Sequence, residues 1–342
     1  MKLSMPLDYS GNPVESATLV AELEQAGLDT VWVAEPYGFD APTLMGYLAA
    51  KTQTIRIASG ILNIYSRTPG ALLQTIAGLD SVSGGRAVLG LGASGPQVIE
   101  GFHGIPFDRP LARTREVVDI IRMGLRREPL VHTGIYDLPL PAGQGLGLGK
   151  PLKLLNRPVR PVVPIWLAAL GQKSVALAAE IADGWLPFLF VPEKAAEVWG
   201  SALADGAARR PSDLAPLEIS AGGLVAIGDD VTAALDSLRP LYALYVGGMG
   251  ARGKNFYFDL ACSYGFELEA QEIQDLYLAG RPRDAEAKVP VAWLEASNLV
   301  GPASYVRERI EAFRAAGVTD LQVRVAGGDP VATVAKLAEW AA

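Results

Sequence analysis

Short apolar segments alternate with amphipathic helices along almost the whole chain, and this rhythm restricts the fold more than any other feature. Leu3 to Leu7, Thr30 to Ala34, Ile55 to Ile61, Ala87 to Leu91, Val163 to Ala168, Gly184 to Phe188 and Glu218 to Ile227 read as strands. Leu321, Val323 and Val325 alternate as one more, the eighth. The helices between them have legible ends. Asn12, Pro13 and Glu15 supply a capping side chain, a proline at the first helical position and a glutamate at N3, and Gly27 closes that helix. Pro42 to Lys51 and Pro69 to Val82 follow, then the stripe Leu111, Thr114, Val117, Val118, Ile121, Leu125. Gly171 precedes another helix, Gly301-Pro302 opens one closed by Gly317, and Asp329-Pro330 caps the last. Strands joined through helices run parallel. Eight such units in 342 residues predict an α/β fold, a (β/α)8 TIM barrel; a doubly wound open sheet is the alternative.

Two stretches break the rhythm. Residues 127–161 contain PLPAGQGLGLGKPLKLL, rich in Gly, Pro and Leu and without helix caps, so they predict a long excursion. Residues 229–292 look mostly helical and predict a second insertion. No low-complexity linker divides the chain, so residues 1–342 are expected to form a single domain with these two insertions.

Composition narrows the function classes. Half of the residues are hydrophobic, enough for a large core. The net charge is −7 with acids and bases interspersed, so neither nucleic acid nor a membrane surface is an expected partner. Cys262 is the only cysteine, and the two histidines, His103 and His132, lie far apart, so neither disulfides nor a metal site is expected. The first residues lack the apolar core of a signal peptide, and no run reaches the roughly 18 apolar residues of a span. A cytoplasmic protein acting on a small molecule is expected, as a homodimer.

In a parallel barrel, sites are built beyond the C-terminal ends of the strands. The stretch Arg86 to Gly104, RAVLGLGASGPQVIEGFHG, runs from a strand into glycines and then into Gln97, Glu100 and His103. Gly90 to Gly95 matches the dinucleotide pattern G-x-G-x-x-G. Its context fails: the strand is the fourth, Pro96 follows at once, and the acidic residues near 116 sit inside a helix. Asp8, Glu35, Asn63, Ser94, Glu100 and His103 fall at strand ends. Asp8, Glu35 and Glu100 are candidate acids or bases if burial raises their pKa. Their other reading is structural, as turn caps or partners of Arg67 or Arg113. Ala169 to Ser174 (ALGQKS) opens a helix after the fifth strand, which offers unpaired amides to an anion. A plain strand-to-helix turn accounts for it equally well. Gly149-Lys150-Pro151 lacks the Ser or Thr of a P-loop, and no Ser-His-Asp or Cys-His set can be drawn. Little covalent chemistry is left to the protein, so a bound cofactor is expected to carry the reaction.

These motifs resemble the luciferase-like superfamily of TIM barrels, in its coenzyme F420-dependent branch. The resemblance is carried by LDTVWVAE from Leu28, SGILN from Ser59, LGLGASGPQVIEGFHG from Leu89, PLARTRE from Pro110, LGLGKPLKLL from Leu146 and AALGQKSVALAAEIADGW from Ala168. It is similar to methylenetetrahydromethanopterin reductase and to the F420-dependent sugar-phosphate and alcohol dehydrogenases. The resemblance implies hydride transfer between a deazaflavin in the barrel mouth and a small organic substrate. An FMN-dependent monooxygenase, or a deazaflavin carrier without turnover, are the alternatives. It further implies that Ser59, Gly60 and Ile61 form a bulge behind the ring, with a non-prolyl cis peptide, and that Asn63 contacts the cofactor. Ala93, Ser94 and Gly95 would lie beside the ring. Leu170, Gly171, Gln172, Lys173 and Ser174 would hold the phosphate, and Glu35 matches an acidic cofactor-contacting position. The dehydrogenases carry a catalytic histidine where this chain has Pro36, and their catalytic glutamate falls near Gly95. Glu35 and His103 are therefore the expected catalytic groups, with Glu100 and His103 standing in spatially for the missing pair.

Overall fold

The computed structural model describes residues 1–8 and 11–342. Its first half runs β1 (Lys2–Pro6), α1 (Pro13–Gln25), β2 (Thr30–Val33), α2 (Ala41–Lys51), β3 (Arg56–Ser59), β4 (Leu62–Asn63), α3 (Pro69–Val82), β5 (Ala87–Gly92), α4 (Pro96–Gly101) and α5 (Pro110–Leu125). The second half resumes with β6 (Ile165–Ala168), α6 (Gln172–Ile181), β7 (Gly184–Leu186), α7 (Pro192–Ala207) and β8 (Glu218–Ile227). Six short helices follow: α8 (Thr232–Asp236), α9 (Arg239–Ala243), α10 (Phe256–Ser263), α11 (Glu267–Leu278), α12 (Pro282–Glu286) and α13 (Val291–Ala296). The chain ends with β9 (Leu299–Gly301), α14 (Ala303–Ala315), β10 (Asp320–Val325) and α15 (Pro330–Ala341).

Strands β1, β2, β3, β5, β6, β7, β8 and β10 pair in parallel, each with the next. Strand β10 pairs with both β8 and β1, with Leu321 opposite Ala221 on one side and Leu3 on the other, so the sheet closes into an eight-stranded barrel. The helix starts read from the sequence are present as capping bonds. Asn12 accepts from the Val14 amide at 3.0 Å, and Asp329 from the Val331 amide at 2.9 Å, each with proline in the first turn.

The two faces of the strands bury different chemistry. Val31, Ile57, Leu89, Ile165 and Leu321 belong to the large core that the helices cover. Trp32, Ala58, Val88 and Trp166 make a separate cluster that fills the barrel interior, the two indoles edge to face with centroids 5.4 Å apart. Towards the strand starts the interior turns polar. The buried Asp320 carboxylate accepts from Ser4 and from Ser220, the latter at 3.2 Å, and pairs with Arg56 at 3.3 Å.

The structure departs from the sequence reading in three places. The third strand, expected as one segment from Ile55 to Ile61, stops at Ser59. The expected cis peptide between Gly60 and Ile61 is present at this break, and β4 then pairs with β5, Leu62 opposite Leu91 and Asn63 opposite Gly92. The sixth barrel strand ends at Leu186, before Phe188. Strand β9 was not expected. Three residues carry no period, and it lies outside the barrel beside β8, Val225 opposite Leu299. Because β7 pairs with β8 only as far as Ile219 and β9 begins at Val225, that edge of β8 has no strand partner between them among the described residues. Asn298 fills part of the gap by accepting the Leu224 amide at 2.7 Å.

Residues 127–161 are largely irregular. They are tied down by Glu116, which accepts the amides of Ile135 and Tyr136 at 2.8 and 3.1 Å. Helices α8 to α13 extend the second irregular region to Ala296. Among the described residues no helix is long and apolar enough to cross a membrane.

Candidate active site

The wall of the barrel mouth is built by β3, β4 and β5. Ser59, fully buried, donates from Oγ to the Gly90 carbonyl at 2.8 Å and accepts the Gly90 amide at 2.9 Å. The strands approach so closely that a Cβ on Gly90 would lie 1.9 Å from the Ser59 carbonyl oxygen. A Cβ on Gly92 would meet the tip of the Ile61 side chain at 3.1 Å and Ala168 at 3.4 Å. Ile61 therefore covers Gly92, with Trp32 beneath Gly60. The Trp32 indole N–H is buried with no hydrogen-bond partner. Beyond the strand, Ala93, Ser94 and Gly95 turn into α4. Ser94 has φ 58°, left-handed and unusual for serine, and is exposed; Gly95 caps the helix.

A second group lies on the loops after β2 and β4. Arg67 donates to Glu35 from both ends of its guanidinium, Nη2 to Oε2 at 2.8 Å, and the Ala41 amide donates to the same oxygen at 2.9 Å. Both carboxylate oxygens of Glu35 are thus engaged, and the Arg67 guanidinium is held above its ordinary pKa by these bonds. Of the two readings of Glu35, the ion pair with Arg67 is the one this geometry supports. Glu35 is not poised as a free acid or base. Asn63 is buried and accepts the Tyr65 and Ser66 amides on Oδ1 at 3.0 and 2.7 Å. Its amide nitrogen must then face His103 Nε2, 3.3 Å away. Since that nitrogen can only donate, Nε2 accepts, and the neutral ring carries its proton on Nδ1. Glu100 does not join His103. It is exposed and accepts the Phe107 amide at 3.2 Å. Asp8 is exposed just past β1.

The third group is the start of α6. Gly171 is its N-cap, in extended backbone, so the first-turn amides face out of the helix end. The side chains expected to help are turned elsewhere. Gln172 donates to the Val198 carbonyl at 2.6 Å, and Ser174 donates to the Gly171 carbonyl at 2.8 Å. Lys173 lines a groove on the outside of the barrel with Leu111, Arg115, Glu180 and Arg209. The Leu170 carbonyl accepts the Trp199 indole N–H at 2.9 Å.

Sequence reasoning missed the aromatic rim. Tyr37 and Phe102 are well exposed, their rings 6.4 Å apart, and Phe102 stands edge to face with His103 at 5.2 Å. Phe256, from the second insertion, leans over Gly171. Single aromatics in a loop or at a helix end give no periodic signal, so only the fold could bring them together. Among the described residues no group of His, Cys, Asp or Glu could hold a metal ion.

A closed parallel barrel whose polar side chains, glycines and helix start gather at the C-terminal mouth has the layout of a TIM-barrel enzyme. The family profile for luciferase-like monooxygenases matches residues 2–320. The chain is 41% identical to "Putative coenzyme F420-dependent oxidoreductase Rv3520c" of Mycobacterium tuberculosis, over 98% of this chain and 99% of that one. It is 30% identical to the 5,10-methylenetetrahydromethanopterin reductase of Methanolobus tindarius over 69% of each chain. Among solved structures, the coenzyme F420-dependent tetrahydromethanopterin reductase of Methanopyrus kandleri superposes with a TM-score of 0.81 at 23% identity. That match covers 99% of this chain and 97% of the other. The chain belongs to the luciferase-like family, in its coenzyme F420-dependent oxidoreductase branch.

Proposed function

We propose that this protein uses coenzyme F420 to transfer a hydride to or from a small organic substrate in the barrel mouth. The observation that carries the reading is 41% identity along essentially the full length of an F420-dependent relative. The residues present fit the group. Gly92, Ala93, Gly95 and Ala168 leave a flat, small-residue wall that a planar ring can approach, with Ile61 projecting from it. The amides at the start of α6 suit a phosphodiester. When bound, the deazaflavin supplies a two-electron hydride carrier.

The chain's own residues bind, orient and dry the site. The Glu35–Arg67 pair fixes the loop after β2 to the start of α2 and to the loop after β4. Asn63 fixes the tautomer of His103 so that Nδ1 carries the proton, which leaves His103 a hydrogen-bond donor for a substrate heteroatom. Tyr37 and Phe102 cover one side of the opening.

The test is a pair of titrations of the purified protein with F420 and with FMN, followed by turnover of reduced F420 with a panel of enones and imines. Saturable F420 binding with turnover is expected. Binding without turnover across the panel would point to a carrier, and FMN binding with no F420 binding would point to the monooxygenase reading.

A further inference from the structure

The opposite side of the mouth, between β1, β7, β8 and β10, holds a cleft with an enclosed volume of about 50 Å³ that opens to solvent. None of the residues discussed above as cofactor contacts lines it. Its lining is chiefly apolar, including Phe188, Leu224, Leu238 and Leu241, and it contains no Asp or Glu. The one charged side chain in it is Arg324.

The position of Arg324 follows from the register of β10. Asp320 faces the barrel interior, where it meets Ser4 and Ser220. The two-residue period of a strand then puts Gln322 and Arg324 on the same face, each one step nearer the mouth. Their neighbours on β8 are Gly222 and Leu224. Arg324 is exposed and makes no hydrogen bond, ion pair or ring contact with any described residue. Arg56, Arg67, Arg113 and Arg160 are all paired with carboxylates. An unpartnered guanidinium at the edge of an open, chiefly apolar cleft is a recognition group for an anion on a largely apolar molecule.

The geometry points to Arg324 as the anchor for a carboxylate on the substrate, with Gln322 beneath it and the substrate's apolar body against Phe188 and Leu224. A monoanion fits better than a phosphate. The lining offers one cation and no second one, while a dianion calls for more. This inference rests on the proposed use of the mouth as the active site.

The test uses F420-loaded protein and two probes of equal shape, cinnamate and cinnamamide, with phenyl phosphate as a third, by calorimetric titration. Cinnamate is expected to bind about ten-fold or more tighter than cinnamamide, the scale of one charge-assisted contact. Phenyl phosphate should bind no tighter than cinnamate. Arg324→Gln should abolish the preference and Arg324→Lys should keep part of it. Equal affinity for acid and amide, a preference that survives Arg324→Gln, or no binding of either probe would overturn the inference. The same probes titrated into cofactor-free protein, beside a separate F420 titration, keep the two readings apart. Failure to bind F420 strikes the cofactor reading while the acid preference is still read.

Discussion

Replacing Gly90 by alanine is expected to destabilise the wall of the mouth, whereas the same change at Gly92 should leave its stability nearly unchanged. The two glycines lie two residues apart on β5 and face the same way, yet they differ in what a methyl group would meet. At Gly90 it would lie 1.9 Å from the Ser59 carbonyl oxygen, which is main chain and has no rotamer to change. A contact shorter than 3.0 Å is essentially never sustained, so β3 and β5 would have to separate by about 1 Å or more there. That separation breaks the two hydrogen bonds of Ser59 with Gly90, worth about 1 kcal/mol each. Overpacking adds about 1–3 kcal/mol, so the total is about 3–5 kcal/mol. At Gly92 the methyl group meets the Cδ1 end of Ile61 at 3.1 Å, which can move by a few tenths of an ångström. The cost there is under about 1.5 kcal/mol, taken up in the position of Ile61. Urea unfolding followed by tryptophan fluorescence, with Trp32 and Trp166 in the barrel interior, measures both, and an F420 titration measures the effect on the mouth. Gly90→Ala should lose stability and F420 binding together; Gly92→Ala should lose affinity with little change in stability. Equal stability losses for the two variants would refute the geometry.

Three further outcomes follow from the same structure. Burial pushes the Asp320 carboxyl up to about 6 from an ordinary value of 3.8. The native state therefore binds more protons between these values, and the group's contribution is full below about pH 4 and lost above about pH 6, about 3 kcal/mol at most. Asp320→Asn keeps an acceptor for Ser4 and Ser220 and should remove that slope; thermal unfolding curves from pH 4 to 7 that stay parallel to the wild type would show the carboxyl is not buried as described. Gln172→Pro should weaken F420 by about 1–2 kcal/mol while leaving α6 intact. Proline suits the first helical position, Gly171 already has the extended backbone it requires, and the substitution removes one amide donor. Lys173→Ala should cost less, since its side chain lines the outer groove; fluorescence titrations with the reverse order would return the phosphate to Lys173. Arg67→Met leaves the nearly buried Glu35 with one amide partner and should lower stability by about 3 kcal/mol; an unchanged melting temperature would show that the pair is not structural.

The fold was largely legible because its signals are local. Helix caps at Asn12 and Asp329, and apolar runs such as Ala87 to Leu91, depend only on neighbours in the chain, and eight strand-helix units leave few topologies. Resemblance pointed to the break at Gly60 and Ile61, where periodicity alone reads one continuous strand. Within the mouth, residue type announced which side chains are polar but not what each one touches. Glu35 and His103 look alike as candidates in the sequence. One is engaged on both oxygens by Arg67 and the Ala41 amide, and the other is oriented by Asn63, because loops thirty to forty residues apart meet only after the barrel closes. Lys173 sits in a motif that suggests a phosphate contact, yet the helix turns it to the outer face. In β10 the alternation Asp320, Gln322, Arg324 was present in the sequence as the polar half of a strand, overshadowed by Leu321, Val323 and Val325. The sequence by itself determined that this strand has two faces. Only closure of the barrel against β1 and β8 decided that the polar face is the interior one, which sets Asp320 in the buried floor and Arg324 at the mouth.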